Sequence, residues 1–362
     1  MSTSPENHID KFLKMMVKND GSDLHFLARN PPRTRRYGKL MALDKKILEP
    51  LEVQEAIFQM MNQRALSEFE NDHQADFAYA LPGIARFRVN AFRHLNGMGA
   101  VMRTIPEQPL TLEQLHTPEV IKKLCMHKHG LVLVTGKTGS GKSTTMAAMI
   151  DHLNRTTKGH ILTIEDPVEF RHVRVKSLIS QREVKAHTKS FADALRSALR
   201  EDPDVILVGE MRDAETIGIA VTAAETGILV MGTLHTNSAS STVERIINVF
   251  PSSEQNQIRT MLSTSLRGVI SQQLLPRASG KGRVAALEIL VNNSAVGNMI
   301  RQGKTEQIDN AITSGKRYGM QSMDGALKAL VADETITGEQ AYMNAFNKSS
   351  FEQYAPENQS ED

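Results

Sequence analysis

The sequence predicts two domains: a small α+β domain, then a larger α/β domain built on a parallel sheet with a phosphate-binding loop. Three observations lead there. The chain has 362 residues, too many for one small core. Strand-like and helical pieces mix irregularly up to about Pro106, and from about Val120 short apolar strands alternate with longer helical segments. Finally, GKTGSGKS, Gly136 to Ser143, joins an apolar strand to a helix.

In the first part, strand-like segments run Asp23–Leu27, Arg35–Ala42, Phe77–Ala80, Ala85–Phe92 and Gly99–Thr104. Turn signals separate several of them, at Asn30-Pro31-Pro32, Pro82-Gly83 and Asn96-Gly97. Helical pieces fall at Ile9–Lys18 and Pro50–Phe69. In the second part the strands are Leu131–Val134, Ile161–Ile164, Val205–Val208 and Ile228–Met231. They are apolar on both faces, as a parallel sheet covered by helices requires. A helix after Ser190 carries Phe191, Ala194, Leu195, Ala198 and Leu199 on one face. Another after His235 carries Val243, Ile246, Ile247 and Phe250 at helical spacing. Domain one is therefore 1–104, a proline-marked linker 105–118, domain two 119–346, and a polar, flexible tail 347–362.

Composition narrows the function classes. Lys+Arg 43 against Asp+Glu 41 leave a net charge of +2, which argues against a dedicated nucleic-acid binder. The single cysteine, Cys125, can form neither an internal disulfide nor a four-cysteine zinc site. No apolar run approaches the roughly 18 residues of a membrane span. The start, MSTSPENHIDKFLKMM, lacks the basic and apolar regions of a signal peptide. These features point to the cytoplasm.

In GKTGSGKS each residue type has a physical task. Gly136, Gly139 and Gly141 let the backbone of Gly136, Lys137, Thr138, Gly139, Ser140 and Gly141 curl so that its N–H groups point at phosphate oxygens. The following helix start adds the positive end of its dipole at Lys142, Ser143 and Thr144. Lys142 reaches the terminal phosphates and the Ser143 hydroxyl serves Mg²⁺. The pattern arises by chance in roughly one chain in a hundred of this length, so ATP binding is the reading. Hydrolysis needs carboxylates nearby. Strand Val205–Val208 leads into Glu210 and strand Ile161–Ile164 into Glu165, at the carboxyl edge where α/β sheets bind ligands. One of the two can hold Mg²⁺ and the other activate water; spacing leaves the assignment open, with Glu210 taken as the metal candidate beside Ser143. His235 ends a fourth strand of the same type and joins them as a candidate catalytic residue.

GKTGSGKSTT, ILTIEDPVEF, LREDPDVILVGEMRD and AAETGILVMGTLHT resemble, in order and spacing, the four nucleotide motifs of the secretion ATPase superfamily. Within it the chain resembles the type IV pilus retraction ATPases, the PilT/PilU family, through GSDLHFLARNPP, ARFRVNAFRHLNGMGAVMRTIP, RIINVFP and SLRGVISQQLLPR as well. The resemblance implies a homohexameric ring motor: a PAS-like N-terminal domain, a RecA-like P-loop domain, and nucleotide held between them. Its implied work is pilus disassembly, transmitted through an inner-membrane platform protein at the cytoplasmic face, with hetero-assembly onto a paralogous ring as a further partner. It also implies that Arg88 and Arg103 reach the γ-phosphate; guanidinium groups suit that charge. The alternative is that Arg86, Arg88, Arg93 and Arg103 form a solvated basic strand face. The absence of a four-cysteine knuckle favours retraction over assembly relatives.

The chain departs from the family in three places. Ile228 stands where a second motif histidine is usual, Lys137 where the loop usually has proline, and AVGNMIRQ, Ala295 to Gln302, where AIRNLIRE is usual. Gly297 in that helix carries a propensity cost of about 1 kcal/mol relative to Ala. These departures motivate a second reading, an accessory ring subunit with weak hydrolysis. A third, a nucleic-acid translocase, is opposed by the near-neutral charge and the lack of Trp stacking platforms.

Overall fold

A computed structural model describes residues 7–36, 39–105 and 108–356. The chain divides into two compact units, Met1–Gln108 and Pro109–Asp362. The first contains α1 (Asp10–Lys18), β1 (Asp23–Leu27), β2 (Arg33–Arg36), β3 (Lys39–Ala42), α2 (Pro50–Met60), α3 (Gln63–Asp72), β4 (Gln74–Leu81), β5 (Ala85–His94) and β6 (Gly97–Ile105). Its six strands form one antiparallel sheet in the order β3-β2-β1-β6-β5-β4.

Alternation builds this sheet: Phe87, Val89 and Ala91 of β5 are buried while Arg86, Arg88 and Asn90 face the other way. The buried row packs with Phe12, Leu13 and Met16 of α1 in one core. Two sequence expectations change. The predicted helix Pro50–Phe69 is two helices, because Met61 is extended and Asn62 then caps α3 by accepting from the Ala65 N–H at 2.9 Å. The predicted strand Arg35–Ala42 is two strands, β2 and β3, paired as a hairpin; Tyr37 and Gly38 lie outside the described residues. The basic strand face is also not one face. Arg93 lies on the side opposite Arg86 and Arg88, its guanidinium 5.7 Å from the Phe69 ring.

The second unit runs α4 (Glu119–Cys125), β7 (Gly130–Thr135), α5 (Lys142–Thr156), β8 (His160–Glu165), β9 (Leu178–Glu183), α6 (Phe191–Ala198), β10 (Val205–Val208), α7 (Ala214–Glu225) and β11 (Leu229–Leu234). It continues with α8 (Ala239–Asn248), α9 (Ser252–Ser265), β12 (Leu266–Pro276), β13 (Arg283–Val291), α10 (Ser294–Gln302), α11 (Ile308–Ser314), α12 (Met323–Ala332) and α13 (Gly338–Asn344). The sheet order is β13-β12-β7-β11-β10-β8-β9, parallel throughout except for β12 with β13. The four strands read from sequence are its contiguous centre. Every residue of β7, β10 and β11 is buried, which explains their unbroken apolar runs.

The segment assigned to a flexible tail behaves differently. Lys348–Tyr354 forms a 3₁₀ helix, and Phe351, 1% exposed, packs with Met323, Leu327 and Ile336. Composition averages over one aromatic anchor, which burial stabilises by up to about 3 kcal/mol. Residues 357–362 of that tail lie outside the described residues.

Candidate active site

Strands β7, β11, β10 and β8 are neighbours in parallel register, with Leu234 opposite Thr135 and Val208 opposite both Gly232 and Ile164. Parallel pairing places their carboxyl ends along one edge, and the loop after each brings a candidate residue there.

The phosphate loop leaves β7 at Gly136 and enters α5 at Lys142. Gly136 and Gly141 have φ of 145° and 90°, a region closed to side chains without strain. Lys142 is buried and its Nζ donates to the carbonyls of Gly136 at 2.8 Å and Lys137 at 3.1 Å, closing the loop into a ring. Burial draws its pKa below the ordinary lysine value, against the opposing pull of Glu210 and Glu169. Lys137 and Thr138 are exposed, and with Gly139 and Ser140 they line a cavity of about 350 Å³ that Met343 and Phe346 also border. Ser143 is exposed at the first turn of α5, with Thr144 half-buried beside it.

The two carboxylates have opposite environments. Glu165, at the end of β8, is pushed up to about 7, first by burial; the Thr163 hydroxyl donating at 2.6 Å and the Gln181 amide at 3.4 Å oppose it. Glu210, two residues past β10, is also partly buried, which alone would raise its pKa. Arg212 Nε donates to its Oε1 and His235 Nε2 stands 2.8 Å from the same oxygen, and together they hold the carboxyl below its usual range. Arg212 is correspondingly raised by that bond. Ser143, Glu165, His172 and Thr233 line a second, 40 Å³ cavity, room for a water molecule.

The structure therefore brings Lys142, Ser143, Glu165, Glu210 and His235 to one edge of one sheet. Arg88 and Arg103 belong to the first unit, where they sit directly opposite each other on β5 and β6. Arg103 Nε donates to buried Asp23 at 2.8 Å. Sequence reasoning missed Arg212, although it lies in the quoted GEMRD, and missed the hydroxyl row Thr236, Thr242, Thr135 and Ser271. Their side chains are linked at 2.7, 3.5 and 2.9 Å, from the histidine loop through the residue before Gly136 to β12. No spacing rule joins residues from four separate elements.

Ile228 lies just before β11, at the opposite end of that strand from His235, and packs against the core. The six residues of β11 lie between them, and seven residue steps of extended chain span roughly 23 Å. Gly297 sits where α10 crosses the end of α9, and a Cβ there would lie 2.9 Å from the Ser263 carbonyl oxygen.

A parallel sheet whose edge carries a closed phosphate loop, a metal-compatible hydroxyl and two carboxylates of contrasting acidity defines a P-loop nucleotide hydrolase. A family model of type II/IV secretion system proteins matches residues 2–360. The chain is 52% identical over 333 residues, 92% of itself and 96% of its counterpart, to the type IV pilus retraction ATPase PilT of Pseudomonas aeruginosa. It is 41% identical over 336 residues, 93% of itself and 88% of its counterpart, to the type IV pilus ATPase PilU of the same organism. Among solved structures it matches the pilus retraction motor PilT with bound ADP at 43% identity and TM-score 0.88, over 96% of this chain and 100% of that one. The chain belongs to the type II/IV secretion system protein family, and within it to the pilus retraction ATPases.

Proposed function

We propose that this protein assembles into a homohexameric ring that hydrolyses ATP and converts the energy into pilus retraction at the cytoplasmic face of the inner membrane, working through a platform protein there. The observation carrying this reading is the 52% identity to a retraction ATPase along 92% of the chain.

Within the site, water attacks the γ-phosphoryl group and yields ADP and phosphate. Glu165 takes the proton, since a carboxyl poised near 7 is a better acceptor than one held below its usual range. Lys142 and the loop N–H groups stabilise the transferring phosphoryl charge. The Ser143 hydroxyl and ionised Glu210 are hard oxygen donors that fit Mg²⁺, which when bound neutralises phosphate charge. His235 and Arg212 keep Glu210 ionised and aimed. Arg88 and Arg103 serve the phosphoryl group in the assembled ring, with a PAS-like first unit carrying them.

The accessory-subunit reading, with a paralogous ring as partner, rested partly on Ile228. That residue's place at the far end of β11 removes it from its own subunit's chemistry, and the departure at Ile228 no longer argues for weak hydrolysis. The test is a strain carrying only Glu210→Gln protein, with fluorescent pili filmed for retraction and the purified protein assayed for phosphate release. Lost retraction with lost turnover supports the motor; undiminished retraction by the inactive variant refutes it.

A further inference from the structure

The last turn of the phosphate loop and the helix that follows it rest on one side chain from a distant strand. Gln272 of β12 is 4% exposed. Its Nε2 donates to the Ser140 carbonyl at 2.6 Å, and its Oε1 accepts from the Thr145 hydroxyl on α5 at 2.8 Å. The first bond fixes which way the amide faces, because the Ser140 carbonyl can only accept and so must meet Nε2, which leaves Oε1 to accept from the Thr145 hydroxyl. We propose that Gln272 is a positioning residue for nucleotide binding, holding the loop in its phosphate-accepting shape before nucleotide arrives.

Peptide planarity supplies the mechanism. In a trans peptide the C=O and the following N–H point in opposite directions. Pinning the Ser140 carbonyl towards β12 therefore turns the Gly141 N–H away from β12, to the inside of the loop. Without the pin that peptide could rotate and offer phosphate a carbonyl instead of a donor. Gln272 also explains why both flanking residues are glycine. A Cβ on Gly141 would lie 2.8 Å from Gln272 Nε2, and one on Gly136 would lie 2.3 Å from the Gln272 carbonyl oxygen. The loop is moulded onto this residue as closely as glycine allows. Next to it, Ser271 ties the end of β7 to the same strand through Thr135.

The inference rests on the loop being the nucleotide site, and the experiment separates the two. Full-length wild type, Gln272→Leu, Gln272→Glu and Thr145→Val are titrated with ADP by calorimetry, and their ATP turnover and thermal melting are measured. Leu removes both bonds at similar volume; Glu keeps an acceptor for Thr145 and loses the donor to Ser140. We expect ADP Kd and ATP KM to rise about tenfold or more in both Gln272 variants, with saturating kcat within about threefold. Thr145→Val, which keeps the bond to Ser140 and leaves Oε1 without its donor, should weaken ADP about threefold. If Gln272→Leu does not fold, the Glu and Thr145 variants decide. ADP affinity within twofold of wild type in the folded Gln272 variants overturns the proposal, as does a fall in kcat with KM unchanged. Failure of wild type itself to bind ADP overturns the nucleotide-site reading instead.

Discussion

Glu165→Gln should make the protein both inactive and more stable, and the size of the gain should depend on pH. Glu165 is raised from an ordinary 4.5 to about 7 by burial. The native state therefore binds this proton more tightly than the unfolded chain does. Between those two values the native carboxyl stays protonated while the unfolded one ionises, so stability falls as pH rises through that window. Below it nothing is lost; above it the loss is complete, at roughly 3 kcal/mol for a shift of this size. Glutamine never ionises. The variant should therefore melt within about 1 °C of wild type at pH 4.5 and roughly 6–12 °C above it at pH 8, taking 2–4 °C per kcal/mol for a domain of this length. Glu288, also pushed up to about 7 by burial, is present in both proteins and cancels in the difference. Turnover should follow the same group. Wild-type kcat/KM at pH 6 should be about tenfold below its alkaline plateau, while the variant should lie about 10²–10⁴-fold below that plateau without this slope. The assay is calorimetric melting of both proteins from pH 4.5 to 8, beside a phosphate-release profile. An equal melting difference at both ends, or a flat wild-type profile from pH 6 to 8, would refute the assignment of Glu165 as proton acceptor.

Lys142→Ala should bind ATP at least about a hundredfold more weakly in a filter or calorimetric assay, since the phosphates lose their point charge and the loop loses its closure onto Gly136. Arg88→Ala and Arg103→Ala should keep the wild-type circular dichroism spectrum yet lower ring turnover about tenfold or more; full turnover in both removes their catalytic role. Gly297→Ala should destabilise by about 1–2 kcal/mol in urea melts rather than gain the usual helix propensity, because its Cβ would meet the Ser263 carbonyl oxygen at 2.9 Å. Ile228→His should leave ADP affinity within about twofold, since the residue is roughly 23 Å from His235 along β11.

The centre of the second unit was legible because its physics is local. Strands buried on both faces must be apolar throughout, so β7, β8, β10 and β11 announce themselves, and the carboxylates and histidine beyond their ends inherit a common edge. What the sequence concealed is contributed across the sheet. β12 reads LRGVISQQLLP, with Arg267, Ser271, Gln272 and Gln273 breaking any hydrophobic period, yet Ser271 and Gln272 are buried because they bond to Thr135, Ser140 and Thr145. A polar residue is tolerated inside only when its partners are there, and those partners lie more than a hundred residues away in sequence. The same logic reverses the weight given to the departures. A histidine missing at 228 seems grave when motif residues are imagined around one phosphate. Once β11 is given its length, position 228 marks the start of the strand and His235 its end, so the substitution belongs to the packing of the sheet's far edge. Gly297, by contrast, seemed a simple propensity loss, yet a Cβ there would lie 2.9 Å from the Ser263 carbonyl oxygen of α9. Gly297 is therefore the departure with a structural reason, because any larger residue there would push α10 and the end of α9 apart.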